Sequence, residues 1–117
     1  MKIAVVGSRK RIDKESVVKL IDSLDKKDIV VSGGCKGVDT WAIERAKERK
    51  MNTIIILPEK PTIETTYFDA VKRFYKRNEA IAKEADIIYA FVSFDRKGGT
   101  ENTIKHAKKL GKEVVIL

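Results

Sequence analysis

The sequence is poor in the residues that build disulfide frameworks and metal sites: one cysteine, Cys35, and one histidine, His106, in 117 residues. A single cysteine forms no disulfide framework, and no Cys or His stands at zinc-ligand spacing. No apolar run approaches the roughly 20 residues needed to cross a bilayer. No leader pattern precedes the first strand-like segment, so a cytoplasmic protein without membrane contact is expected. Familiar nucleotide fingerprints are missing as well. There is no G-x-x-x-x-G-K-[ST], and no G-x-G-x-x-G follows the first strand. A phosphoacceptor receiver would need clustered acids after that strand, where this chain has Arg9, Lys10 and Arg11. No metal and no cofactor is expected.

What is present is charge, at 36% of residues, with 25 Lys and Arg against 17 Asp and Glu. The net charge of +8 raises the prospect of an anionic partner such as nucleic acid or a nucleotide. A well-solvated surface would look the same.

Apolar, β-branched runs alternate with segments of helical spacing. Strands are predicted over 2–7, 28–33, 52–58, 86–94 and 112–117. Helices are predicted over 13–27, 38–50, 65–85 and 100–111, with Asp13 as an N-cap and Gly111 as a stop. Residues 59–63 read as loop. The third helix is either one long helix or two broken ones. Strands this apolar are buried on both faces, which means a parallel sheet between helical layers. The expected fold is a single α/β, Rossmann-like three-layer domain over 1–117, with strand order 3-2-1-4-5.

Six of the seven glycines, all but Gly111, follow strands one, two and four. These strand ends share one rim, where such sheets bind ligands. Helix N-termini there suit phosphate. Gly7, Ser8 and Arg9 form one candidate wall, and Arg9 can fork to a phosphate. Ser32, Gly33, Gly34 and Gly37 form a second, and Gly98, Gly99 and Thr100 a third. Ser8, Ser32 and Thr100 can each donate to an anion or serve a cap or turn. Asp39 can hold a sugar hydroxyl or cap the helix it opens. Tight turns alone would also use these glycines.

The segments "VVGSR", "SGGCKGVDTWAIERA", "RNEAIAKEADIIYAF" and "GGTENTIKHAKKLGKEVVIL", in that order over nearly the whole chain, resemble the SLOG superfamily. The likeness is greatest to its small YpsA-related and DUF2493-type members. Two branches imply different functions. The DNA-processing protein A family has a similar stretch at Ser32, Gly33, Gly37 and Asp39 and a similar pair at Arg77 and Asn78. That likeness implies single-stranded DNA binding. The lysine decarboxylase-like phosphoribohydrolases that activate cytokinins carry P-G-G-x-G-T-x-x-E, and they imply cleavage of nucleoside monophosphates. Aligning Gly99 and Thr100 with that motif leaves Asp95, Arg96 and Lys97 for Pro-Gly-Gly, and Thr103 where the glutamate belongs. Arg77 matches the active-site arginine of that branch. Glu101 could replace the glutamate only if its helix were displaced.

Other residues carry two readings each. Arg77 and Asn78 contact a ligand or the rim, or lie on a solvated turn. Tyr67, Phe68, Phe74 and Tyr75 stand among Lys72, Arg73, Lys76 and Arg77. At helical spacing they are expected in the core; exposed, they could stack on single strands or supply a homodimer interface. Trp41 is expected in the core, His106 in solvent with no partner histidine or cysteine for a metal, and Cys35 as a small filler rather than a nucleophile. The expected function is non-catalytic binding of a phosphate-bearing nucleotide. Single-stranded DNA binding and a nucleotide phosphoribohydrolase are the alternatives.

Overall fold

The computed structural model describes residues 1–61 and 66–117. Among these residues five strands alternate with four helices: β1 (Lys2–Gly7), α1 (Lys14–Ser23), β2 (Ile29–Ser32), α2 (Val38–Glu48), β3 (Asn52–Ile55), α3 (Tyr67–Glu84), β4 (Ile87–Phe91), α4 (Gly99–Lys109) and β5 (Glu113–Ile116). The sheet is parallel throughout, in the order β3-β2-β1-β4-β5. This is the expected Rossmann-like arrangement.

Alternation along β1 explains the layers. Ile3 and Val5 point into a core shared with Val17 and Ile21 of α1 and Val38, Ala42 and Ala46 of α2. Ala4 and Val6 point into a second core with Ile81 and Ala82 of α3 and Ile104 and Ala107 of α4. Each wholly buried Val or Ile contributes about 2 kcal/mol of apolar transfer. Right-handed crossovers put α1 and α2 on one face as the chain runs β1-β2-β3, and α3 and α4 on the other once it returns past β1. The reversal lies at β1, whose Gly7 pairs with Phe91 of β4.

Most segments end earlier than their sequence patterns suggest. α1 stops at Ser23 because Leu24 is extended, and the Asp25 carboxylate then accepts from the Lys27 N–H in a turn. Asp13 does stand at the N-cap, but its side chain caps nothing; the Arg11 guanidinium grips both carboxylate oxygens at 2.8 and 2.6 Å. The edge strands are not buried on both faces: Ile55 and Ile116 are each exposed. α3 is one unbroken helix, started by a capping box between Thr66 and Asp69. The loop reading over 59–63 and the helix start at 65 fall partly outside the described residues. Gly111, at φ 72, ends α4 as expected.

Candidate functional site

The rim carries a cleft of about 470 Å³. Its floor is the end of β1, from Val6 to Lys10. One wall is the face of α3 that bears Tyr67, Val71, Phe74, Tyr75, Arg77, Asn78 and Ile81. The opposite wall is Lys97, Gly98, Gly99, Thr100 and Thr103 at the start of α4, and Cys35 and Asp39 close the far end. Of the three predicted walls, those of β1 and β4 line the cleft directly. The β2 wall reaches it only through Cys35 and Asp39.

The β2–α2 loop is occupied by its own side chains. Ser32 is wholly buried and its hydroxyl donates to the Val5 carbonyl at 2.7 Å, so it ties β2 to β1. The Asp39 carboxylate, 5% exposed, accepts from the N–H groups of Gly33 and Cys35 at 3.2 and 3.3 Å. Burial pushes its pKa up, against those two N–H groups and the nearby Arg77 charge. Gly33 is glycine because a Cβ there would meet Arg77 Nη1 at 2.8 Å and Asp39 Oδ2 at 3.0 Å. Gly34 faces Leu57 and Ile55 beside β3, away from the cleft. Gly37 is the N-cap of α2 at φ 88. Gly7 lines the floor, but its lack of a Cβ serves packing, since one would lie 2.5 Å from a Val38 methyl.

Arg77 and Asn78 are buried struts rather than a solvated turn. Arg77 Nη1 donates to the Gly33 carbonyl at 2.6 Å, Nη2 to Cys35 Sγ at 3.4 Å, and Nε to Asn78 Oδ1 at 3.0 Å. Asn78 Nδ2 donates onward to the Gly99 carbonyl and to Asn102 Oδ1, both at 3.2 Å. Two adjacent α3 residues thus hold both glycine loops. Nothing in the sequence pattern showed where these donors point.

The start of α4 is different. Gly98 is its N-cap at φ 109, a conformation that favours glycine, and no side chain caps the first turn. Thr100 is 8% exposed, and its hydroxyl has no partner among the described residues. Arg9 and Lys97 are exposed on the cleft without an acidic partner among those residues, whereas Lys10 pairs with Asp95. Arg11 forks to Asp13 and donates to the carbonyls of Val92 and Leu117, so the basic run 9–11 contributes mainly Arg9. Gly7 and Ser8 precede α1 by a turn, with the Ser8 hydroxyl accepting from the Lys10 N–H at 3.1 Å. They therefore do not stand at a helix N-terminus.

Glu101 turns away from the cleft and is held by both ends of the Arg96 guanidinium at 2.9 Å. Thr103 does line the cleft, and its hydroxyl donates to the Gly99 carbonyl at 3.3 Å. Asp39 is the one carboxylate among the described lining residues.

The aromatic expectation is overturned. Tyr67 is 78% exposed and Phe68 75%, and Phe74 and Tyr75 are partly open as well. Only the second half of α3, with Ile81 and Ala82, enters a core; the first half stands beyond it. Trp41 packs against the first core, as expected. His106 is half-buried, and its Nδ1 lies 3.8 Å from Glu79 Oε2, so it has a neighbour on α3.

Comparison with known proteins gives a consistent family picture. A family model described as DNA recombination-mediator protein A matches residues 1–70, more than half of the chain. No curated protein matches. Among solved structures, DNA processing protein A (DprA) from Streptococcus pneumoniae superposes with a TM-score of 0.81 at 24% identity, over 98% of this chain and 49% of that one. The protein TM1055 gives 0.74 at 23% identity, over 97% and 71%. The C-terminal domain of a hydrogenase from Pyrococcus furiosus gives 0.54 at 11%, over 98% and 89%. These likenesses carry the fold, and the chain spans about half the length of the Streptococcus protein.

Proposed function

The chain belongs to the DNA recombination-mediator protein A family, and we propose that its rim cleft binds a phosphate-bearing nucleotide unit. The observation that carries this reading is the unfilled start of α4. Its first-turn N–H groups, the Thr100 hydroxyl, and Arg9 and Lys97, none of these side chains with a partner among the described residues, all border one cleft. Backbone N–H groups and the helix dipole favour an anion there. Arg9 adds a planar fork suited to phosphate oxygens. Gly98 and Gly99 let the ligand approach the backbone. Tyr67, Phe74 and Tyr75 offer apolar faces to a base on the opposite wall.

A second reading, single-stranded DNA, is favoured by the exposed half of α3. Tyr67, Phe68 and Tyr75 are open to solvent beside Lys72 and Lys76, and bases stack on such surfaces with little sequence preference. The name of the family and of the Streptococcus structure points the same way. Hydrolysis has the weakest support, because Thr103 occupies the position of the glutamate and Glu101 is turned away.

Calorimetry with mononucleotides and short single strands tests the reading. Arg9→Ala should weaken binding roughly 10- to 100-fold, the worth of a charge-assisted hydrogen bond to phosphate. The stability of the variant should stay within about 0.5 kcal/mol of the parent. Unchanged affinity would sink the proposal. Affinity for single strands that falls steeply with salt would favour the second reading.

A further inference from the structure

The two helix starts on this rim are built alike and filled differently, and the difference bears on how many phosphates the cleft takes. Both helices begin after a glycine at positive φ, Gly37 and Gly98, and neither has a side-chain cap on its N-cap residue. Sites for polyphosphates recruit consecutive N–H groups of such loops. Here the N–H groups of Gly33 and Cys35 already converge on Asp39 Oδ2, at 3.2 and 3.3 Å. The Gly33 carbonyl is taken by Arg77. A Cβ on Gly33 would already be 2.8 Å from Arg77 Nη1, so the inner face of the loop has no space for a phosphoryl oxygen. The carboxylate is nearly sheltered from solvent, so its charge is weakly screened toward a neighbouring anion. At α4 the reverse holds: Thr100 is 8% exposed with no partner for its hydroxyl among the described residues, and Arg9 and Lys97 stand by without an acidic partner among those residues.

Building on the nucleotide reading above, we propose that the cleft seats a single phosphoryl group, as a phosphomonoester or a phosphodiester, and that Asp39 is the specificity-determining residue that excludes a second. The carboxylate stands where another phosphate would otherwise sit. A nucleoside di- or triphosphate must then leave its extra charges in solvent or bring them toward Asp39. The ligand class is therefore a mononucleotide or a strand threaded one phosphate at a time.

The test is calorimetry with dTMP, dTDP, dTTP and a short oligo-dT at one ionic strength. Wild type should bind dTMP or the oligonucleotide more tightly than dTDP and dTTP, although the latter two carry more charge. Asp39→Asn keeps an acceptor for the two N–H groups and removes the charge. It should raise dTDP affinity relative to dTMP by about tenfold, the weight of one poorly screened charge. Tighter binding of either dTMP or the oligonucleotide supports the seat, and which of the two leads identifies monoester or diester. Wild-type affinity that climbs from dTMP to dTTP overturns the single seat while leaving the nucleotide reading intact. An equal gain for all probes in Asp39→Asn overturns the assignment of selectivity to Asp39. No binding by any probe overturns the nucleotide reading and the seat together. The wild-type series is decisive even if the variant fails to fold.

Discussion

The β2–α2 and β4–α4 loops are the instructive pair in this molecule. Each is rich in glycine, each leads into an eleven-residue helix, and each lies at the same rim of the sheet. The first is closed from within: Asp39 takes its N–H groups, Arg77 its carbonyl, and Ser32 is spent on β1. The second keeps a helix start without a side-chain cap, and among the described residues Thr100 and the cations beside it have no partner. Glycine is used for opposite ends. At Gly33 it makes room for the protein's own side chains; at Gly98 and Gly99 it leaves backbone open to a ligand. A glycine-rich sequence therefore marks a close approach without saying whether the visitor is internal or external.

The comparison breaks most visibly if the strut is removed. Arg77→Ala deletes donors to Gly33, Cys35 and Asn78 and takes away the cation near Asp39. A loss of about 3 kcal/mol is expected, the scale of buried hydrogen bonds from a charged group. Urea unfolding should show it, and a loss below about 1 kcal/mol would mean the strut is not needed. A paired substitution reads the two loops directly. Gly33→Ala forces a methyl to 2.8 Å from Arg77 Nη1 and should cost about 2 kcal/mol. Gly99→Ala meets only Asn78 Nδ2, at 3.7 Å, an ordinary contact, and should leave stability within about 0.5 kcal/mol while weakening nucleotide binding. Equal stability costs at the two positions would contradict the contrast.

The fold could be read from the chain because it rests on periodicity. Runs such as 2–7 and 86–94 are apolar enough to read as a covered parallel sheet, and handedness then leaves few topologies, of which the expected 3-2-1-4-5 is the one found. Edge exposure at Ile55 and Ile116 could not be read, because an edge strand here has the same composition as a central one. Within the site, the cleft positions after β1 and β4 could be read, whereas Ser32, Gly33, Gly34 and Gly37 do not line the cleft, and the roles could not be read. Gly7, Ser8, Arg9, Gly98, Gly99 and Thr100 come to one cleft, with Arg77 and Asn78 facing them. Whether Arg77 reaches a ligand or a carbonyl depends on the distance between α3 and the β2–α2 loop, which no local pattern encodes. The aromatics of α3 misled for a related reason. Their spacing specifies one face of a helix, but only packing decides that the helix outruns its core.

The gentlest probe of the comparison is pH, because each loop is held by one aspartate, and the two are shifted in opposite senses. Asp95, before α4, is held down to about 2 by Lys10 and by the Ser93 hydroxyl, from an ordinary 3.8. Its folded form releases the proton more readily than the unfolded chain does. The stability it lends is full above 3.8 and is lost as pH falls toward 2. Asp39 is shifted up by burial, so the folded protein keeps its proton longer than the unfolded chain. Its contribution is full below 3.8 and declines as pH rises through its folded pKa. Unfolding of wild type, Asp39→Asn and Asp95→Asn across the acid range should separate these slopes. Relative to Asp39→Asn, wild type should lose stability as pH rises above 3.8; relative to Asp95→Asn, it should lose stability as pH falls below 3.8. The Asp95 effect should be the smaller, since that carboxylate is open to water and its pairing is screened. Parallel curves for Asp39→Asn and wild type would mean that the carboxylate in the closed loop has water-like surroundings. The internal stand-in for an anion would then have to be abandoned.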